Sequence, residues 1–270
     1  MSFIVTGNLS QLFNGISPHQ LFDGHSTLKR SQQRIDDLLG CIDLTRKLRA
    51  LCVRPQQNAS QQSKLIQQAG KELIHHTQRM CRDRQLTSLS ERRMLKQEVE
   101  ALVFSISDNT LASNLIQHGR IIRSMIYLLD KQIVQFMSQS GKLFLVGDYN
   151  EKWMRVMSAI EALTQYRIAL SDSNGISLLR VTGRGLVLQN KLREVNDIHK
   201  LTKFDQTNVL GKLDEVNHYH GLEGNEDEIA VQLYKLSSQI SAITLEVYRE
   251  IIVETCELIW TSDSREWIDA

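Results

Sequence analysis

Proline is almost missing from this sequence of 270 residues, because it occurs only at Pro18 and Pro55. Average proteins contain about 5% proline. Since proline is the strongest helix breaker, long helices can run without interruption after Pro55. Leucine, glutamine, glutamate, lysine and arginine are prominent in the chain and favour the helix. The sequence therefore predicts an all-α fold.

Other absences exclude several classes of protein. The formal net charge is only +1, so nucleic acid is not an expected partner. No long apolar run is present, so we expect no membrane span. The N-terminus lacks basic residues before its apolar ones, which argues against a signal peptide. The four cysteines are scattered without a CxxC pair. They predict reduced thiols and a cytoplasmic location.

Motifs for catalysis and cofactors are also missing. We find no dinucleotide-binding or P-loop glycine pattern, and no G-x-S-x-G or H-E-x-x-H. The chain is therefore not predicted to be an enzyme or to hold a cofactor. The segment "HYHGLEGNED" brings His218, His220, Glu223 and Asp227 close together. A metal site is one interpretation, but the spacing matches no defined motif and an exposed loop is the preferred one.

Hydrophobic periodicity divides the chain into long helices. Residues 1–25 are rich in glycine, asparagine and serine and are predicted to be poorly ordered, while 26–262 form the helical domain and 263–270 a tail. Ser88 and Glu91 have the spacing of a capping box, and Asn109 or Thr110 can cap the next helix. We expect two packed antiparallel bundles with a long C-terminal helix. The helices are predicted at 26–53, from 60, from near 88, from near 110, and at 149–170, 176–199, 206–217 and 227–260.

The stretch "HGRIIRSMIYLLDKQIV" is apolar over most of its helical circumference. Arg120, Arg123 and Asp130 fall in the narrow arc that the apolar residues leave open, which they share with Tyr127 and Val134. One interpretation is a partly exposed strip that contains a helical ion pair. The other is that the strip faces a second bundle or subunit and that its arginines offer charge to a ligand.

Arg167 is a sharper anomaly on the next helix. It continues the inward stripe that runs through Trp153, Ile160 and Thr164, while Arg155 points the other way. A buried guanidinium needs a carboxylate or a bound anion. The pattern therefore leaves three alternatives: a salt bridge to an acid such as Asp130, exposure near the helix end, or an anion site.

Two further arginines lie on one face of the following helix. Arg180 and Arg184 are four residues apart, and Gly183 and Gly185 beside them permit a kink or a close backbone approach. The alternative is a frayed helix with solvated arginines. Arginines from several helices that converge on one interior would suit a small planar anion, because the guanidinium fork matches oxyanion geometry.

The segments "HGRIIRSMIYLLDKQI" and "DYNEKWMRVMSAIEALTQYRIALSD" resemble the nitrate- and nitrite-sensing (NIT) domain of bacterial signalling and antitermination proteins. The likeness is specific over residues 118–172. It implies two packed four-helix bundles that bind the anion through arginines between helices. Gly119–Ser124 is the local counterpart of the arginine-bearing helix start of that family.

The resemblance predicts a cytoplasmic sensor that binds nitrate or nitrite. Arg120 and Arg123 are candidate binding residues because they lie in the matching segment Gly119–Ser124. Arg167, Arg180 and Arg184 are candidates from helical periodicity alone. Only "TSDSREWIDA" follows Trp260, so we expect the signal to pass to a separate protein or through a homodimer. The alternative is an adaptor that binds no ligand and acts through its long C-terminal helix. The adaptor hypothesis predicts Arg167 in a closed salt bridge.

Overall fold

The structure is a computed structural model that describes residues 18–53, 59–170, 178–198, 211, 214 and 226–261. Long α-helices make up nearly all of this part of the chain, which contains no strand, so the all-α prediction is confirmed. The helices are α1 (Pro18–Val53), α2 (Ala59–Met80), α3 (Leu89–Ser105), α4 (Leu111–Gln139), α5 (Val146–Leu170), α6 (Leu178–Ile198) and α7 (Glu226–Thr261), with a 3-10 turn at Leu143–Leu145 between α4 and α5.

Local sequence signals place several helix ends. Ser88 and Glu91 form the predicted capping box at the start of α3, and the Thr110 side chain accepts from the backbone N–H of Ser113 at the start of α4. Gly141 follows α4 with a positive φ of 72°, a conformation that glycine adopts without strain. α1 begins at Pro18 rather than at the predicted Ser26, because proline is well suited to the first position of a helix.

Some predictions fall outside the described residues. These are the order of residues 1–17, the short helix at 206–217 apart from residues 211 and 214, the loop that carries His218, His220 and Glu223, and the tail at 263–270. In the part of the chain that is described, no helix has the length and apolar character needed to cross a membrane. The four cysteines are free thiols, as predicted.

Helices α1 and α4 lie at the centre of the packing. α1 contacts α2, α4 and α7, while α4 also contacts α3 and α5, and α5 contacts α6 and α7. A large apolar core includes residues of α1 to α5 and α7, and a smaller one lies among α4 to α7. The division into two antiparallel bundles stays a prediction.

Contacts between α1 and the helices beside it show that the neighbours are antiparallel. Arg34, in the middle of α1, donates to Gln132 late in α4, and Thr45, later in α1, lies beside Met125, earlier in α4. Arg49, near the end of α1, donates to Ser241 in the first half of α7. The last turns of α1 therefore lie beside the first half of α7 and the first half of α4.

Candidate functional site

Arg49 is an arginine on the apolar stripe of α1. The stripe runs through Ile35, Leu38, Ile42 and Thr45 and reaches Arg49 with helical 3-4 spacing, and all five residues are buried. Arg49 itself is 5% exposed. Its Nη2 donates to Ser241 Oγ at 3.0 Å. Among the described residues no carboxylate lies within ion-pair distance of this guanidinium, so its charge has no counter-charge there.

Arg167 reaches the same helix from the end of α5. Its Nε donates to Ser237 Oγ at 3.2 Å, and its Nη2 donates to the Ser237 carbonyl at 2.8 Å. Ser237 Oγ in turn donates to the Tyr234 carbonyl at 2.9 Å. The described part of the chain offers Arg167 no carboxylate either. The Arg167 side chain therefore donates to hydroxyl and carbonyl groups of α7. Its role in ligand binding stays a prediction.

The charge of Arg49 acts on the guanidinium group of Arg167. Burial lowers the pKa of Arg167 well below its usual range, and the charge of Arg49 lowers it further. Burial also lowers the pKa of Arg49 to about 10, with a smaller contribution from Arg46. Arginine is not deprotonated in proteins, so the lowered pKa values express the cost of holding these charges away from water. The region therefore concentrates positive charge inside the protein.

His118 of α4 is fully buried, at 0% exposure, and the charge of Arg49 acts on its imidazole. Its Nδ1 lies 2.6 Å from the Asn114 carbonyl, while its Nε2 is buried without a hydrogen-bond partner among the described residues. Burial lowers the pKa of His118 to about 4. The Asn114 carbonyl opposes this shift, and the charge of Arg49 adds to it. The imidazole is therefore neutral at pH 7 in this structure.

A cavity of about 340 Å³ lies in the seam between α1 and α7 and reaches Arg49. Small residues of α7 and a basic segment of α1 surround it, so it favours anions over cations. A larger cavity, about 840 Å³, lies where α2 and α3 meet the start of α4, and Lys71 is the one charged residue around it. The smaller cavity is lined by Asp43, Arg46, Lys47, Arg49, Ala50, Ser238 and Ala242.

Arg120 and Arg123 do not join Arg167 in the way that helical periodicity suggested. Arg120 is exposed, because the buried face of α4 is taken by Ile121 and Ile122. Arg123 is half-buried, donates to Thr164 Oγ1 at 2.7 Å and lies 3.9 Å from Glu161 Oε2. The expectation that Arg120, Arg123 and Arg167 line one interior is therefore corrected. Arg120 lies on the surface, and Arg123 has a nearby carboxylate.

The α6 arginines also lie on the surface. Arg180 and Arg184 are exposed, since the buried stripe of α6 runs through Val181, Leu188 and Val195. A side chain at Gly183 would meet no atom within 4 Å. The glycine there does not serve a close backbone approach.

Asp130 was one candidate partner for Arg167, but the structure places it elsewhere. It is half-buried on α4, where burial raises its pKa and a hydrogen bond with Tyr149 opposes that shift. Tyr149 in turn lies 3.1 Å from Tyr248, hydroxyl to hydroxyl. This polar cluster joins α4, α5 and α7 but contains no arginine, so Arg167 and Asp130 do not neutralise each other.

Arg49 and His118 were missed from the sequence, although both carry a signal. Arg49 continues the stripe of Ile42 and Thr45, and His118 precedes Ile122 and Met125 at the same helical spacing. Both residues are polar at positions where the pattern demands an apolar one. In the described residues no group of three histidine, cysteine, aspartate or glutamate side chains could hold a metal.

Comparison of the chain with models of protein families, with curated proteins and with solved structures finds no match.

Proposed function

We propose that this protein is a helical sensor that binds a small oxyanion between α1, α5 and α7. One observation carries the proposal: Arg49 is buried and Arg167 is half-buried, and no described carboxylate pairs with either positive charge. Burying an uncompensated charge costs several kcal/mol. A bound anion would supply the missing counter-charge.

The donor geometry suits an oxyanion better than a simple halide. Each guanidinium has five N–H donors in a planar fork. Arg49 uses one nitrogen in a hydrogen bond to Ser241, and Arg167 uses two, both to Ser237. The remaining donors can bind oxygen atoms of a planar anion in pairs. Nitrate and nitrite have this shape, and they are the ligands that the resemblance to the NIT domain implies.

Binding at this place can change the relative position of helices. Arg49 belongs to α1 and Arg167 to α5, and both bind α7 through Ser241 and Ser237. An anion that neutralises both guanidinium groups would favour the arrangement that brings them together, which is a shift between two states. In this proposal the protein is cytoplasmic, and a separate signalling protein or a second copy of the chain reads the shift.

The adaptor hypothesis makes a different prediction for Arg167, namely a closed salt bridge. Its hydrogen bonds lead instead to the hydroxyl and carbonyl groups of Ser237, and a cavity reaches Arg49. Both observations support the sensor over the adaptor.

Isothermal titration calorimetry and thermal unfolding with nitrate, nitrite, sulfate and chloride test the proposal. We expect heat of binding and stabilisation with nitrate or nitrite, by about 2.7 kcal/mol when the anion is at a hundred times its Kd. Arg49→Met and Arg167→Met should each remove both effects. The absence of heat and of stabilisation with every anion would contradict the proposal.

Arg34→Met is the matched control, because Arg34 is also a buried arginine of α1. Its guanidinium is paired with Asp83 and bound by glutamine side chains. This variant should respond to the anion as the wild-type protein does. If it lost the response as well, the effect of Arg49→Met would reflect general damage to α1 and would not support the site.

A further inference from the structure

We infer that His118 is a third binding group of the anion site and takes up one proton from solvent when the anion binds. The inference rests on the proposed function, because it concerns the same site. It adds a residue from α4, so that α1, α4, α5 and α7 all contribute to binding. It also makes the sensor respond to pH as well as to its ligand.

The hydrogen bonds of His118 define its tautomer. Nδ1 lies 2.6 Å from the Asn114 carbonyl, which can only accept, so Nδ1 carries a hydrogen atom. In the neutral ring Nε2 is then a bare acceptor. This atom is buried and has no partner in the described part of the chain, although buried polar atoms are nearly always hydrogen-bonded. The atom thus lacks the group that would satisfy it.

The charged groups around the imidazole are few. Arg49 of α1 is the one whose charge acts on its pKa, and within the described residues no carboxylate of α4, α5 or α7 does. Asn114, on the same helix as His118, contributes only its carbonyl. Protonation of the empty site is therefore opposed by burial and by Arg49, and no acid in the described chain compensates for it.

An oxyanion changes which protonation state is favoured. Nitrate has only acceptor oxygens, so it repels the lone pair of a neutral Nε2. Once Nε2 holds a proton it becomes a donor. The anion then accepts its hydrogen bond and neutralises the charge of the imidazolium. The step transfers one proton from solvent to Nε2, and no covalent bond of the anion forms or breaks.

The direction of the pH effect follows from linkage. The pKa of His118 in the empty site is about 4, and a bound anion raises it. The complex therefore holds more protons than the free protein between these two pKa values. Affinity for the anion should rise as the pH falls through that window, by up to about tenfold for each pH unit.

The test is calorimetry with nitrate in two buffers of different ionisation enthalpy, at about pH 5.5, 6.5 and 7.5. Nitrate is the probe because nitric acid is strong, so any proton taken up belongs to the protein. We expect the wild-type protein to take up a proton on binding, with the largest fraction at the lowest pH. His118→Gln should bind nitrate with no proton uptake and with little dependence on pH.

His76→Gln is the matched control. His76 is partly buried on α2, and its Nε2 lies 2.9 Å from the Asp37 carbonyl, so it has a partner that Nε2 of His118 lacks. Its replacement should leave proton uptake unchanged. Circular dichroism at each pH checks that the variants are folded, and the wild-type measurement stands without them.

Each result decides between the two proposals. Nitrate binding without net proton uptake by the wild-type protein overturns the role of His118 and leaves the proposed function standing. Uptake that persists in folded His118→Gln also overturns it, because another group then takes the proton. The absence of nitrate binding by the wild-type protein at every pH overturns both.

Discussion

Arg34 and Arg49 are two buried arginines of the same helix, α1, in opposite surroundings. Arg34 is 3% exposed and uses all three nitrogens: Nε donates to Gln132 at 2.7 Å, Nη1 to Gln85 at 3.0 Å, and Nη2 to Ser31 at 2.6 Å. Arg49 is 5% exposed and, among the described residues, has a hydrogen bond only to Ser241. Arg34 also forms an ion pair with Asp83 at 3.4 Å.

Arg34 is an arginine whose contacts stabilise the fold, whereas Arg49 has donors and a charge that a ligand could still bind. The residues around Arg34 accept its hydrogen bonds and pair with its charge, so no donor or charge is left there for a ligand. The described residues around Arg49 and Arg167 accept some of their hydrogen bonds, and none of these residues supplies a counter-charge. Replacing Arg34 should therefore lower the free energy of unfolding, whereas replacing Arg49 should leave it unchanged or raise it. The following predictions test that contrast.

The largest expected effect belongs to Arg34→Met. The change leaves the side-chain oxygen Oε1 of Gln132 buried without its donor, and it removes the ion pair with Asp83. We expect the free energy of unfolding to fall by roughly 3–4 kcal/mol. Urea unfolding measures it. A loss below about 1 kcal/mol would mean that the network around Arg34 contributes little.

The next effect is a dependence of stability on pH through His118. Its pKa is about 4 in the folded protein and ordinarily 6.5, so the unfolded chain binds the proton first as the pH falls. The stabilisation is complete above pH 6.5 and is lost as the pH falls to about 4, which removes up to about 3 kcal/mol. Urea unfolding of wild-type protein and His118→Gln at both ends of this window should show a shallower pH dependence in the variant.

A smaller change of opposite sign is expected for Arg49→Met without anion. The variant removes a buried charge that has no described counter-charge and replaces it with an apolar side chain of similar length. We expect the free energy of unfolding to stay the same or to rise by about 1–2 kcal/mol. Urea unfolding in a buffer free of oxyanions measures this. A loss comparable with that of Arg34→Met would remove the contrast between the two arginines.

The smallest effects concern the serines beside each arginine. Ser31→Ala removes a hydrogen bond from Arg34 and one to Gln139, and Ser241→Ala removes one from Arg49. Each should cost about 1 kcal/mol in the absence of anion. Nitrate should stabilise both variants, because both retain Arg49 and Arg167, but it should stabilise Ser241→Ala more, because the anion can take the donor of Arg49 that Ser241 no longer binds. Thermal unfolding with and without nitrate measures the difference. Equal responses of the two variants would contradict a local anion site.

Much of the fold could be predicted from the sequence because its signals are local. The capping box at Ser88 and the cap at Thr110 depend on residues three positions apart, and both were found by spacing. The inward direction suggested for Arg167 followed in the same way from its place on the stripe of α5. The exposure of Arg120, Arg180 and Arg184 could not be predicted in this way, because periodicity cannot tell which face of a helix a neighbouring helix covers. Their role in binding stays a prediction.

The sequence by itself determined an all-α chain with long helices and polar residues set into apolar stripes, because helical period and caps depend on neighbours in the chain. Only the tertiary structure decided which of those polar residues have partners. Arg34 meets Gln132, which lies 98 positions away, and Arg49 meets Ser241, which lies 192 positions away. Such pairings depend on how distant helices pack, and that packing leaves Arg49 and Arg167 without a described carboxylate.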